Sequence, residues 1–176
     1  MAIQDVLQFG NPLLRESCVD VTDFTSPETL TTLADLRDTL IDLQRIHGRG
    51  GGLAAPQIGS TLRIVYINAK GRSFHLCNPV IVERSEETFE VWDFCFSANA
   101  SFLAPVTRNL RIVVEYRDSS GEKISEEFEG YFSELLQHEI DHLNGTLFID
   151  HIRNPESMMM VEEWDRLHNN EQQAGQ

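Results

Sequence analysis

His138-Glu139-Ile140-Asp141-His142, inside the segment Tyr131 to Leu143, decides how the chain is read. On an α-helix, residues four apart differ by ~40° of rotation. Both imidazoles therefore leave one face a turn apart, as two ligands of a single metal ion require. Glu139 is one position on, close enough to reach a water at that metal without being a ligand. Leu135, Leu136, Ile140 and Leu143 give the helix its apolar positions. Ser133 is placed to cap or start the first turn, and Asn144-Gly145 ends the last one. The plain alternative is a helix that merely carries two histidines and some acids.

A catalytic site of this kind needs a third protein ligand and one open position. His47, His75 and His151 have no partner at ligand spacing and read as surface or core histidines, and His168 as a solvated one. The three cysteines are Cys18, Cys77 and Cys95. An odd number argues against a disulfide framework. Cys18 and Cys77 read as small buried hydrophobes. Cys95 lies in Val91-Trp92-Asp93-Phe94-Cys95-Phe96-Ser97, an apolar-rich stretch ahead of a Ser/Asn/Ala loop. On these residues alone, a buried structural cysteine is a slightly better reading than a ligand.

Upstream, Ser26 as N-cap and Pro27 at the first helical position predict a helix to His47, ended by Gly48. Leu30, Leu33, Leu40 and Ile41 form its apolar stripe, widened by Leu36 and Leu43. A glycine-rich loop, Gly48 to Gly52, leads to Leu53-Ala54-Ala55-Pro56-Gln57. Leu62 to Ile67, Phe74 to Val82 and Leu110 to Tyr116 read as strands, with Asn78-Pro79 bending the second. Ser119 to Glu122 is a turn, and Lys123 to Glu129 alternates as a return strand. Leu147-Phe148-Ile149 is a short strand candidate. Asn154-Pro155-Glu156 opens a last helix that reaches about His168, with a frayed tail over 169–176. The pattern is α+β: antiparallel strands wrapped around a central metal-binding helix, with an N-terminal and a C-terminal helix, in a single domain over 1–168.

The 176 residues are 41% hydrophobic and 24% charged, as in ordinary globular chains. A net charge of −14 repels phosphate backbones and anionic lipid, so neither nucleic acid nor membrane is expected as a partner. Met1 to Val6 has no basic start and no apolar stretch. A signal peptide is therefore not expected, and a cytoplasmic location is.

Three ordered motifs resemble the peptide deformylase family. They are Gly50-Gly51-Gly52-Leu53-Ala54-Ala55-Pro56-Gln57, Asp93-Phe94-Cys95-Phe96-Ser97 and Gln137-His138-Glu139-Ile140-Asp141-His142-Leu143. Gly10 to Arg15 and Asn78-Pro79 match as well, and the likeness covers roughly Val6 to Asp150. The resemblance implies one divalent metal ion on Cys95, His138 and His142, ferrous iron in the cell, with zinc, nickel or cobalt also able to bind. It makes Glu139 the catalytic acid/base at a metal that lowers the pKa of water towards ~7. It assigns the reacting carbonyl oxygen to the Gln57 amide and the Phe96 N–H. Gly50, Gly51 and Gly52 would line the cleft, and Phe94, Tyr131 and Leu135 would meet the substrate. The implied activity releases formate from N-terminal formylmethionine of peptides or nascent chains, carried out by a monomer.

The family usually has Glu-Gly-Cys-Leu-Ser where this chain has Asp93-Phe94-Cys95-Phe96-Ser97. Phe94 would close part of the cleft or form a new wall. Glu134 and Tyr131 are more polar than a methionine pocket should be. Intact hydrolysis with an altered substrate is therefore the expectation. A related amide hydrolase with another N-acyl substrate, a non-catalytic peptide-binding relative and, more weakly, a metalloprotease are the alternatives.

Overall fold

The computed structural model describes residues 2–173. Its elements are α1 (Pro27–His47), β1 (Gly52–Ala54), β2 (Ile64–Ala69), β3 (Arg72–Arg84), β4 (Thr88–Phe94), β5 (Phe102–Asn109), β6 (Arg111–Arg117), β7 (Lys123–Glu129), α2 (Tyr131–Leu143), β8 (Met159–Met160) and α3 (Val161–Gln173). Short 3-10 turns at Ala55–Ile58, Phe96–Ala98 and Phe148–His151 join several of them. One sheet runs β1-β2-β3-β6-β7 and the other β4-β5-β8, with every pairing antiparallel. No helix among the described residues is long and apolar enough to cross a membrane.

Strand β2 explains how the layers stack. Alternate residues of a strand face opposite sides. Ile64 and Tyr66 pack with Leu33, Leu36 and Leu40 of α1, whereas Val65 and Ile67 pack with Leu136, Ile140 and Leu143 of α2. The two helices thus cover opposite faces of the larger sheet. The central helix α2 is buried along most of its length, and the expected α+β architecture is present. A third apolar cluster, Val91, Ala104, Val106 and Phe148, fills the side of the smaller sheet.

Both expected main helices have the expected ends. Ser26 Oγ accepts from the Thr29 N–H, and Gly48 closes α1 in the left-handed region. Leu30 and Ile41 of the expected stripe are 53% and 48% exposed, because the buried face is the Leu33-Leu36-Leu40 line. Ser133 does not cap α2. Gly130 occupies that position, while Ser133 Oγ donates to the Asn109 carbonyl from inside the first turn. Asn78-Pro79 bends β3 without ending it. The register shifts between Cys77 and Val80, and Asn78, at φ 52°, bonds Val21 N–H and C=O through its side chain.

Four expectations are corrected. Gly52 to Ala54 is a short strand paired with β2, not loop. Strands β4 and β5 stand where no strand was expected. Leu147-Phe148-Ile149 belongs to a 3-10 turn, which Asp150 closes by accepting from the Leu147 N–H. Asn154 caps a 3-10 turn of three residues, Pro155–Ser157, and the last helix starts only at Val161. That helix is described to Gln173, and 174–176 of the expected frayed tail lie outside the described residues.

Candidate active site

His138 and His142 leave the buried face of α2 with ring centroids 5.0 Å apart. Cys95 reaches them from the end of β4. Its Sγ lies 3.2 Å from His142 Nε2, and one ligand atom from each of the three residues falls within 4.8 Å of the others. All three are buried. A thiolate and two imidazoles, clustered on one side, suit a tetrahedral divalent ion with a fourth position open. Burial holds the His142 pKa down to about 3, with nearby His138 adding to the effect. The ring is therefore neutral, as a ligand must be.

Asp93 orients the other histidine. Its carboxylate meets His138 Nδ1 at 2.9 Å, which turns Nε2 towards Cys95. Arg108 sits behind it, 3.0 Å from Asp93 and 2.6 Å from Asp141, and Asp141 also meets His151 Nε2 at 2.9 Å. Burial opposes charge on His138, but Asp93 outweighs it and holds the His138 pKa well above the usual value. This chain of charges ties β4, β5 and α2 together behind the candidate ligands.

Glu139 is buried, and its Oε2 makes no hydrogen bond. Burial raises its pKa to about 7. The backbone of Gly52 lies against it: a Cβ there would be 2.6 Å from Oε1. Gln57 is fixed from the opposite side. Its Oε1 accepts from the Ala54 N–H at 2.9 Å, which turns its NH2 group to Cys95 Sγ at 3.5 Å and Ser97 Oγ at 3.2 Å. Phe96 opens the 3-10 turn after Cys95, so its N–H has no acceptor within that turn.

A cavity of about 220 Å³ opens onto this group. Gly50, Gly51 and Gly52 form one wall, held by Gln44, whose amide donates to the Gly50 and Asn68 carbonyls. Phe94 and Phe96 form another, ring edge to ring face at 5.8 Å. Tyr131, Glu134 and Leu135 contribute from the first turns of α2. Burial raises the Glu134 pKa to about 7. Helix α3 stands at the rim, with Trp164 against Trp92 at 4.6 Å and Asp165 bonded to Arg49 at 2.5 Å.

Every residue singled out from the sequence is therefore at one place: Cys95, His138, His142, Glu139, Gln57 and Phe96 at the centre, the others around the cavity. Sequence reasoning missed Gln44, Arg108, Asp141 and Gln137. Gln137 clasps Asn109 N–H and C=O at the end of β5. For Arg108 no signal was available, because no strand was expected around it.

The polypeptide deformylase family model matches residues 3–158. A peptide deformylase of Desulfotalea psychrophila is 39% identical over 159 residues, covering 86% of this chain and 89% of that one. The crystal structure of peptide deformylase from Thermotoga maritima superposes with a TM-score of 0.79 at 34% identity, covering 88% of this chain and all of that one. A peptide deformylase from Synechococcus elongatus, in complex with actinonin, gives 0.80 at 27% identity over 88% of this chain and 81% of that one. With a family model spanning most of the chain and relatives matched nearly end to end, the chain belongs to the polypeptide deformylase family, whose members hydrolyse an amide bond to deformylate N-formyl peptides.

Proposed function

We propose that Cys95, His138 and His142 hold one divalent metal ion, ferrous iron in the cell, and that Glu139 uses it to deformylate peptides and nascent chains, formylmethionine among the substrates. The observation that carries this reading is the convergence of three buried donors beside a carboxylate oxygen with no other partner. A metal held there supplies an acidified water and polarises the formyl carbonyl. As the water oxygen bonds to the formyl carbon, Glu139 takes its proton. The growing charge on the carbonyl oxygen falls to the Gln57 amide, held beside Cys95, and to the Phe96 N–H. Glu139 then gives its proton to the amine nitrogen as the C–N bond breaks, which leaves formate and a free N-terminus. Phe94 and Phe96 shield the reacting atoms from bulk water. The reading extends to a cytoplasmic monomer with one catalytic domain over 1–168 and no nucleic-acid or membrane partner, in keeping with its charge of −14.

The test is formate release from N-formyl tripeptides, formyl-Met-Ala-Ser first, by protein purified without oxygen and loaded with iron or nickel. Glu139→Ala should lower kcat by at least about a hundredfold, the usual scale of proton transfer catalysis, with one metal still bound. A fully loaded wild type that releases no formate from any N-formyl peptide would point instead to a non-catalytic peptide binder.

A further inference from the structure

The proposed hydrolysis makes no use of one carboxylate in its own cavity. Glu134 lies one helical turn before His138 and lines the same space. It is half-buried, and among the described residues it makes no hydrogen bond or ion pair. Lys70 acts on its charge from a distance but forms no ion pair with it, and its ammonium sits over the Tyr131 ring, 4.2 Å from the centroid.

Tyr131 puts a second polar group on that wall. It is three residues before Glu134, so the two share a face of α2. Its hydroxyl packs where Gly51 lacks a side chain, since a Cβ at Gly51 would collide with that oxygen and meet Leu135 Cδ2 at 3.0 Å. The surrounding wall is apolar, built by Trp92, Phe94 and Leu135.

The α-carbon of a formylated residue is one bond from the formyl nitrogen. With the formyl carbon beside Glu139, the first side chain has this cavity as its space. A thioether entering it would strip water from Glu134 and return no hydrogen bond, and an unsatisfied buried polar group is costly. A side chain ending in N–H groups would replace that water. We infer that the cavity selects N-formyl substrates whose first side chain ends in an N–H donor, an amine or a carboxamide, over methionine, with Glu134 as the acceptor. This inference rests on the deformylase reading above.

The experiment compares kcat/KM of the metal-loaded enzyme on formyl-X-Ala-Ser, with X as lysine, glutamine, methionine or norleucine. Norleucine matches the carbon chain of lysine but lacks its amine. At least one of lysine and glutamine should exceed norleucine by about tenfold or more, because a site built around a hydrogen bond discriminates strongly against its absence. The lysine and glutamine arms separate an amine from a carboxamide. Glu134→Leu should remove that advantage. Glu134→Gln, the closer match in shape, should reduce the lysine advantage even if the leucine variant fails to fold. Methionine and norleucine turned over as well as both donors, or an advantage unchanged in the variants, overturns the inference and leaves the deformylase reading standing. No formate from any of the peptides overturns both.

Discussion

At the scale of single residues, Asp93 has the widest reach. It is buried, it meets His138 at 2.9 Å, and Arg108 neutralises it from behind. Such a partner fixes the tautomer and the angle of a ligating imidazole, and its loss typically costs 10–100-fold in metal affinity. Asp93→Asn keeps the volume and removes the charge. Chelator competition should show metal affinity falling by at least about tenfold, whereas a change under twofold would mean that packing alone orients His138. The two histidines and Glu139 were legible in the sequence because a helix converts a spacing of four into a shared face. Cys95 was not legible from its own residues. It is brought to the histidines by the pairing of β4 with β5, and no local periodicity encodes a contact between distant segments. Only the resemblance to known motifs pointed to it.

At the scale of elements, α2 carries both the chemistry and the packing. Leu136 is fully buried, in one apolar cluster with the sheet residues Val65 and Val114. Leu136→Ala should lower unfolding free energy by about 2–5 kcal/mol in denaturant titration. A loss under 1 kcal/mol would mean that the surrounding side chains collapse into the space. The ends of α1 and α2 could be read because capping residues and a glycine mark them. Strands β4 and β5 could not, partly because Pro105 interrupts the second. The structure accommodates that proline: β8 pairs only with Phe102 and Leu103, so no ladder bond is lost on that side at Pro105. Asn154-Pro155-Glu156 looked like a helix start for a sound reason, since the cap and the turn are real. The turn gives way to β8 because Met159 and Met160 pair with the free edge of β5.

For the whole molecule, the three candidate ligands come from two layers. Cys95 directly follows β4 of the smaller sheet, while both histidines lie on α2. An ion bound to all three therefore bridges the layers in the native state alone, and binding to the native state stabilises it by mass action. Stripping the metal with a chelator should lower the melting temperature by several degrees, on a scale of about 2–4 °C per kcal/mol for a chain of this size. Identical melting curves before and after would show that the layers hold without it. The same arrangement foretells the outcome of a saturation library screened for activity. Gly59, at φ 85° with open space around it, is retained for its backbone shape. Asparagine, which tolerates that shape, should survive selection there. Gly52 is retained because Glu139, the proposed proton carrier, lies against it, and a single added carbon would displace its carboxylate. Among variants that fold, that codon should come back as glycine alone.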